Sequence, residues 1–259
     1  MKIIFFLVVL AYLGAVAYLY FFQNRLLFNT RAIDKNPPFH LPNTKELSLK
    51  IDHDVILDGI YRYANQKDAP LIIYFGGNAD DATRILLHVQ HLRDFDWLAF
   101  NYRGYLKSSG KPSEKNLFSD ALKIYDTYGA DKKVILIGRS LGTGVATYLA
   151  SQRKVSGLVL ITPYDSIASI AKENYPIFPI GLLLKNKFES TKYMAHVKNP
   201  VALIEVAGDT MITHQHFVKL KESVPNLSSN ITLEGSTHAD VLENKDFEKT
   251  LKEVIHKMH

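Results

Sequence analysis

Cysteine is absent from all 259 residues, which excludes disulfides, thiolate nucleophiles and thiolate metal sites at once. Charge of one sign never accumulates either. The 31 Lys and Arg are interspersed with 26 Asp and Glu, and no basic run is dense enough to track phosphates, so no nucleic-acid partner is expected despite a net charge of +5. Internal repeats and low-complexity tracts are also missing. What remains is a 47% hydrophobic chain, long enough to bury the core of one α/β domain and to carry an appendage.

The appendage is the N-terminus. IIFFLVVLAYLGAVAYLYFF, residues 3–22, holds no charge and is long enough to cross a bilayer core as a helix. It exceeds a secretory h-region, and no A-x-A-like site follows it, so an uncleaved anchor is expected over residues 1–24. Tyr18, Tyr20 and Arg25 suit an interface. Lys2 with the amino terminus on one side, and Arg25, Arg31 and Lys35 on the other, leave the orientation open. The expected partner is therefore the lipid bilayer, with localisation at a membrane by one pass.

Beyond a proline-containing connector at 36–42, residues 47–51 and 55–63 alternate apolar and polar side chains, as an antiparallel opening pair does. Continuous apolar runs follow: LIIYF at 71–75, WLAF at 97–100, VILI at 134–137, LVLI at 158–161 and VALIEV at 201–206. Such runs suit strands buried on both faces. Helical spacing separates them at 80–92, 113–128 and 141–153, with a last helix expected over 240–257. The pattern predicts an α/β fold with a mostly parallel, doubly wound sheet filling residues 25–259. Residues 162–200, with Pro176, Pro179 and YPIFPIGLLL, are longer than a simple crossover and are expected to include a small cap, a kinked helix pair being the alternative.

GRSLGTG, residues 138–144, follows VILI and opens a small-residue helix. Alone, Ser140 reads equally as a helix cap. As a nucleophile it needs a base, a group that orients the base, and donors for the oxyanion. Asp209 in AGDTM follows the strand VALIEV, with Asp165 in TPYDS as competing acid or helix cap; His238 in EGSTHAD is the one histidine in a late strand-to-helix loop. His214 and His216 form an H-x-H without a cluster to complete a metal set. Leu141 N–H comes with the turn after Ser140, and GGNAD after LIIYF offers the Asn78 N–H as the second oxyanion donor.

LLFNT, YFGGNAD, NYRGYLKSSGKPSE, GRSLGTG, TPYDSIASIAKENYP, LLLKNKF, GDTMITHQHF and STHAD together resemble the membrane-anchored branch of the α/β-hydrolases, which includes depalmitoylases and lysophospholipid lipases. The resemblance spans nearly all of the chain after the anchor. It implies an α/β-hydrolase fold, a triad of Ser140, Asp209 and His238, and oxyanion donors at Asn78 and Leu141. Three departures stand out: Gly76 in place of histidine, Leu106 in place of a second glycine, and Thr213 in place of proline.

The expected function is serine-hydrolase cleavage of carboxylic esters or thioesters through an acyl-enzyme, on acyl lipids or lipidated molecules, with no cofactor and no metal. A serine aminopeptidase shares the triad but would need an acidic motif for the substrate amine, and none is visible. A non-catalytic tethered binding protein would have no need of all three residues. Because every site residue lies beyond residue 77, a chain beginning near Asn29 is expected to retain turnover of short soluble esters.

Overall fold

The continuous apolar runs become the centre of one sheet in a computed structural model, which describes residues 1–30 and 39–258. Arg31, Lys35 and the first part of the connector lie outside the described residues. The strands are β1 (Thr44–Lys50), β2 (Ile56–Arg62), β3 (Leu71–Phe75), β4 (Asp96–Phe100), β5 (Val134–Arg139), β6 (Gly157–Ile161), β7 (Val201–Val206) and β8 (Leu227–Leu233). They pair in the order β1-β2-β4-β3-β5-β6-β7-β8. β1 and β2 form the expected antiparallel pair, β2 joins β4 antiparallel, and every later pairing is parallel.

Alternate side chains of the parallel strands feed two cores, because successive residues of a strand point to opposite faces. Ile73, Leu136, Leu160 and Leu203 meet α3 (Glu114–Tyr128), α4 (Leu141–Gln152), α7 (Ser190–Met194) and α8 (His214–Glu222). Ile72, Ile137, Val159 and Ile204 meet α2 (Ile85–His88) and α9 (Phe247–His256) on the other face. Burial on both faces explains why these runs show no period-2 alternation.

Two expected helices come out shorter. The 80–92 segment is one 3₁₀ turn at Ala82–Arg84 followed by α2, which stops at Val89 (φ −129°, ψ 41°), where the buried Arg62 guanidinium donates to the Val89 and Leu92 carbonyls and holds the chain in a non-helical path. The 240–257 segment breaks at Asn244, whose side chain donates to the Glu234 carbonyl and Ser236 hydroxyl and accepts from Asp246 N–H.

α1 (Lys2–Leu27) is long and apolar enough to cross a membrane. Its last turns are not free: Gln23 is buried, its amide donating to Leu183 O at 3.0 Å and accepting from Lys185 N–H at 2.6 Å. Residues 162–200 carry α5 (Ile167–Asn174), α6 (Ile180–Leu183) and α7. The first two lie alongside α1.

Candidate active site

The carboxyl ends of the parallel strands open on one edge of the sheet, where loops after β3, β5, β6, β7 and β8 converge. Ser140 follows β5 directly with φ 49° and ψ −119°. A residue with a side chain enters that region only when its surroundings hold it there. Here the constraint is close packing: a Cβ on Gly142 would lie 2.1 Å from Phe75 O, and one on Gly138 2.5 Å from Gly142 O. The glycines let α4 abut the end of β3, while Ser140 N–H donates to Ile161 O at 2.9 Å and ties the turn to β6. The Ser140 hydroxyl makes no capping bond. It lies 2.8 Å from His238 Nε2 instead.

His238 and Asp209 come together across the loops after β8 and β7, with Nδ1 and Oδ2 2.7 Å apart and both side chains under one-tenth exposed. The other carboxylate oxygen of Asp209 accepts the Met211 and Ile212 amides at 2.9 and 2.8 Å. Two backbone donors therefore fix the acid before it meets the imidazole. Such an array can carry a proton from the serine to the ring while the carboxylate holds the ring's orientation.

The glycine turn after β3 closes on the same point. A Cβ on Gly77 would sit 3.3 Å from Ser140 Cβ. Among the described residues no acceptor takes the Asn78 N–H, and Leu141 N–H heads α4, one of the donors that a helix start leaves open. The Asn78 side chain is occupied elsewhere. Its Nδ2 donates to Leu27 O at 2.7 Å, and its Oδ1 accepts from Asn29 N–H and the Tyr105 hydroxyl, each at 2.8 Å. The end of α1 is thus built into this turn, so a chain beginning near Asn29 would lack one of the turn's bonds.

Arg139, inside the G-x-S-x-G run, is the residue that the sequence did not expose. Its Nη1 donates to both Asp80 oxygens at 2.8 and 2.7 Å, and its Nη2 donates to His238 O and Ala239 O at 2.9 Å each. Asp80 in turn accepts from Gly77 N–H at 2.7 Å. One guanidinium therefore locks the turn after β3 to the histidine loop. Burial pulls the Arg139 pKa down, but the Asp80 carboxylate, together with Tyr74 and Asp209, outweighs that and leaves it above its ordinary value. No local motif could have signalled this, since the partners are 59, 99 and 100 residues away in the chain.

Asp165 is neither the partner of His238 nor a helix cap. Ser166 caps α5 by accepting from Ser169 N–H, while Asp165 accepts from His216 Nδ1 at 2.7 Å. The other nitrogen of His216 lies 2.9 Å from Glu173. His214 faces Glu205 at 2.9 Å, so the two rings of the H-x-H diverge. Among the described residues no group of side chains is arranged to hold a metal ion.

The departures have local explanations. Leu106 adopts φ 48°, the left-handed conformation that glycine takes without strain. Gly76 accepts the Tyr102 hydroxyl at its carbonyl, and a Cβ there would already press Ala82 Cβ at 3.2 Å. Thr213 opens α8 at φ −61°, which proline shares.

A family profile described as alpha/beta hydrolase fold matches residues 71–188. An uncharacterized protein of Mycobacterium tuberculosis is 27% identical over 88% of this chain and 84% of its own length. The lysophosphatidylserine lipase ABHD12 of Danio rerio is 29% identical over 70% of this chain, which spans 57% of that lipase. Among solved structures, a bacterial membrane phospholipase A aligns over 100% of this chain and 99% of its own with TM-score 0.65 at 15% identity, a likeness of fold. With its eight-stranded, mostly parallel sheet and these relatives, the chain belongs to the α/β-hydrolase superfamily.

Proposed function

We propose that this protein is a membrane-anchored serine hydrolase that cleaves ester or thioester bonds of acyl lipids or lipidated molecules. The observation that carries the reading is the position of His238, 2.7 Å from Asp209 and 2.8 Å from a serine held at positive φ. Ser140 Oγ attacks the acyl carbonyl as His238 Nε2 takes its proton. The Asn78 and Leu141 amides receive the developing oxyanion, and His238 returns the proton to the leaving alcohol or thiol. Water, activated by the same imidazole, then releases the acid and restores Ser140. Asp209 keeps Nδ1 protonated and the ring aligned throughout.

The anchored part of the reading is supported by α1, whose apolar length is tied to the hydrolase domain by Gln23, Asn24 and the Leu27 carbonyl. A cleaved leader would have no reason to share hydrogen bonds with the mature fold. The lipid part is supported by that helix and by the lipase among the relatives.

The test is labelling of the full-length protein with a fluorophosphonate probe, followed by kinetics on acyl esters, thioesters and aminoacyl amides. Ser140→Ala is expected to abolish labelling and to lower kcat by about 10⁶-fold, the scale seen when a serine-hydrolase nucleophile is removed. Labelling of Ser140→Ala at another serine would overturn the assignment. Preference for aminoacyl amides would move the protein to the peptidases, and native protein inert to probe and substrates would leave only a binding role.

A further inference from the structure

The cap accompanies α1 well past its polar end. Near the domain, Gln23 bonds residues 183 and 185, Asn24 accepts from Asn186 at 2.6 Å, and Lys185 Nζ stands 4.0 Å over the Tyr20 ring. Farther along, the Tyr12 ring stacks on Phe178 at 5.6 Å and its hydroxyl donates to Ile177 O at 3.0 Å. Tyr12 and Gln23 are eleven residues apart, about 16 Å along a helix, or about half the thickness of a hydrocarbon core. If the polar cluster at Gln23, Asn24 and Lys185 marks the membrane surface, Ile177 lies at the depth of the midplane.

The segment is made for such surroundings. Tyr175, Ile177 and Leu182 point outward, with Ile177 71% and Leu182 87% exposed. A backbone in lipid must satisfy its own polar groups. Pro176 and Pro179 have no N–H to satisfy, the amides of Tyr175, Phe178, Ile180 and Leu182–Leu184 donate to local carbonyls, and Tyr12 covers Ile177 O, which leaves the N–H groups of Ile177 and Gly181 as the donors without a protein acceptor among the described residues.

Between the cap and α1 runs an apolar groove of about 220 Å³, lined among others by Leu19, Leu27, Ile170, Tyr175, Leu183 and Leu184. Leu27 is among its lining residues, and the Leu27 carbonyl accepts from the Asn78 side chain; other lining residues adjoin the exposed apolar surface of α1 and of residues 175–184. An apolar groove that shares Leu27 with the turn carrying Asn78 fits a single extended hydrocarbon chain.

We propose that residues 175–184 are embedded in the leaflet beside α1, and that the groove admits one acyl chain of a bilayer lipid sideways from that leaflet to Ser140. This rests on the membrane-anchored hydrolase reading, but its first measurement needs no turnover. The chain has no cysteine, so Ile177→Cys and Leu182→Cys each give a single labelling site. With a nitroxide attached, in Ser140→Ala protein reconstituted into phosphatidylcholine vesicles, both positions are expected to be reached by dissolved oxygen far more than by a water-soluble nickel chelate. Leu227→Cys, on the exposed edge strand, should show the opposite. Nickel access at 177 equal to that at 227 would overturn the proposal even if the enzyme is an active hydrolase, whereas lipid-buried labels in a protein without esterase activity would sink only the hydrolase reading.

The groove is tested in active protein by Ile170→Trp and, separately, by Leu183→Trp. Each is expected to lower the ratio of kcat/KM for a palmitoyl ester to that for an acetyl ester by at least about tenfold. Far-ultraviolet circular dichroism and fluorophosphonate labelling check that each variant is folded. An unchanged ratio in both folded variants, or a changed oligomeric state with an unchanged ratio, would show that the groove is not the acyl site.

Discussion

Two aspartate–histidine pairs lie near the same sheet edge, each with Nδ1 2.7 Å from a carboxylate and a ring almost wholly buried. They differ in what the second ring nitrogen meets. For His238 it is the Ser140 hydroxyl at 2.8 Å, a group with a proton to give. For His216 it is Glu173 at 2.9 Å, a carboxylate with none. The first pair sets a nitrogen against a hydroxyl; the second sets both nitrogens against carboxylates and so links α5 to α8. An Asp–His contact is therefore no mark of catalysis by itself. The strained serine, the open amides and the Arg139 lock separate the two.

The largest expected break in this comparison comes from matched substitutions. Asp209→Asn is expected to lower kcat by about 10⁴-fold, because the imidazole loses its correct tautomer and alignment. Asp165→Asn should leave kcat within a few-fold while removing the charge-assisted bond to a buried ring, a stability loss of about 1–3 kcal/mol. Steady-state kinetics and denaturant melts on the two proteins decide it, and the reverse ranking in kcat would make His216 the base.

Next in size is loss of α1. A protein starting at Asn29 lacks the Leu27 carbonyl that receives Asn78, and misplacement of an oxyanion donor by about an ångström costs on the order of 10²-fold. We expect that loss in kcat/KM even on short soluble esters. The Asp165→Asn penalty should be the same with or without α1, since the second pair touches none of it. Full retention on soluble esters would show that α1 serves as a tether alone.

The smallest effect sharpens the contrast. Glu173→Ser in a Ser140→Ala background replaces the carboxylate beside His216 Nε2 with a hydroxyl on a shorter side chain, and no fluorophosphonate labelling at residue 173 is expected, because the hydroxyl stops short of the ring and neither a strained turn nor oxyanion donors are there. Glu173 is half exposed, so stability should change by less than about 1 kcal/mol. Labelling at 173 would mean that the Asp–His pair suffices.

The sheet and the three residues at its edge were legible in the sequence because both follow from order along the chain. Buried strands read as apolar runs, and loops at their carboxyl ends must converge, so Ser140, Asp209 and His238 meet whatever the details. Contacts between distant side chains were not legible. Arg139 looks like a spacer until Asp80 and the His238 carbonyl arrive, and Asp165 looks like a cap because its partner is 51 residues away. Gln23 and Asn24 read as the polar flank of an anchor, since nothing local shows that residues 183–186 will bond them. The overlong helix at 80–92 fails for the same reason, through Arg62.

The bonds of Gln23 and Asn24 bridge about 160 residues of chain, and this sets an order of assembly. A ribosome delivers α1 before residues 183–186, so under the proposed anchoring the helix would enter a bilayer before those residues are made. On that reading residues 183–186 close against a helix already in lipid, and the membrane would serve as part of the template on which the domain completes its fold. Chain released from denaturant into water meets that step with α1 unsheltered. Vesicles present during refolding, rather than added afterwards, should therefore govern the yield of protein with a finished oxyanion turn.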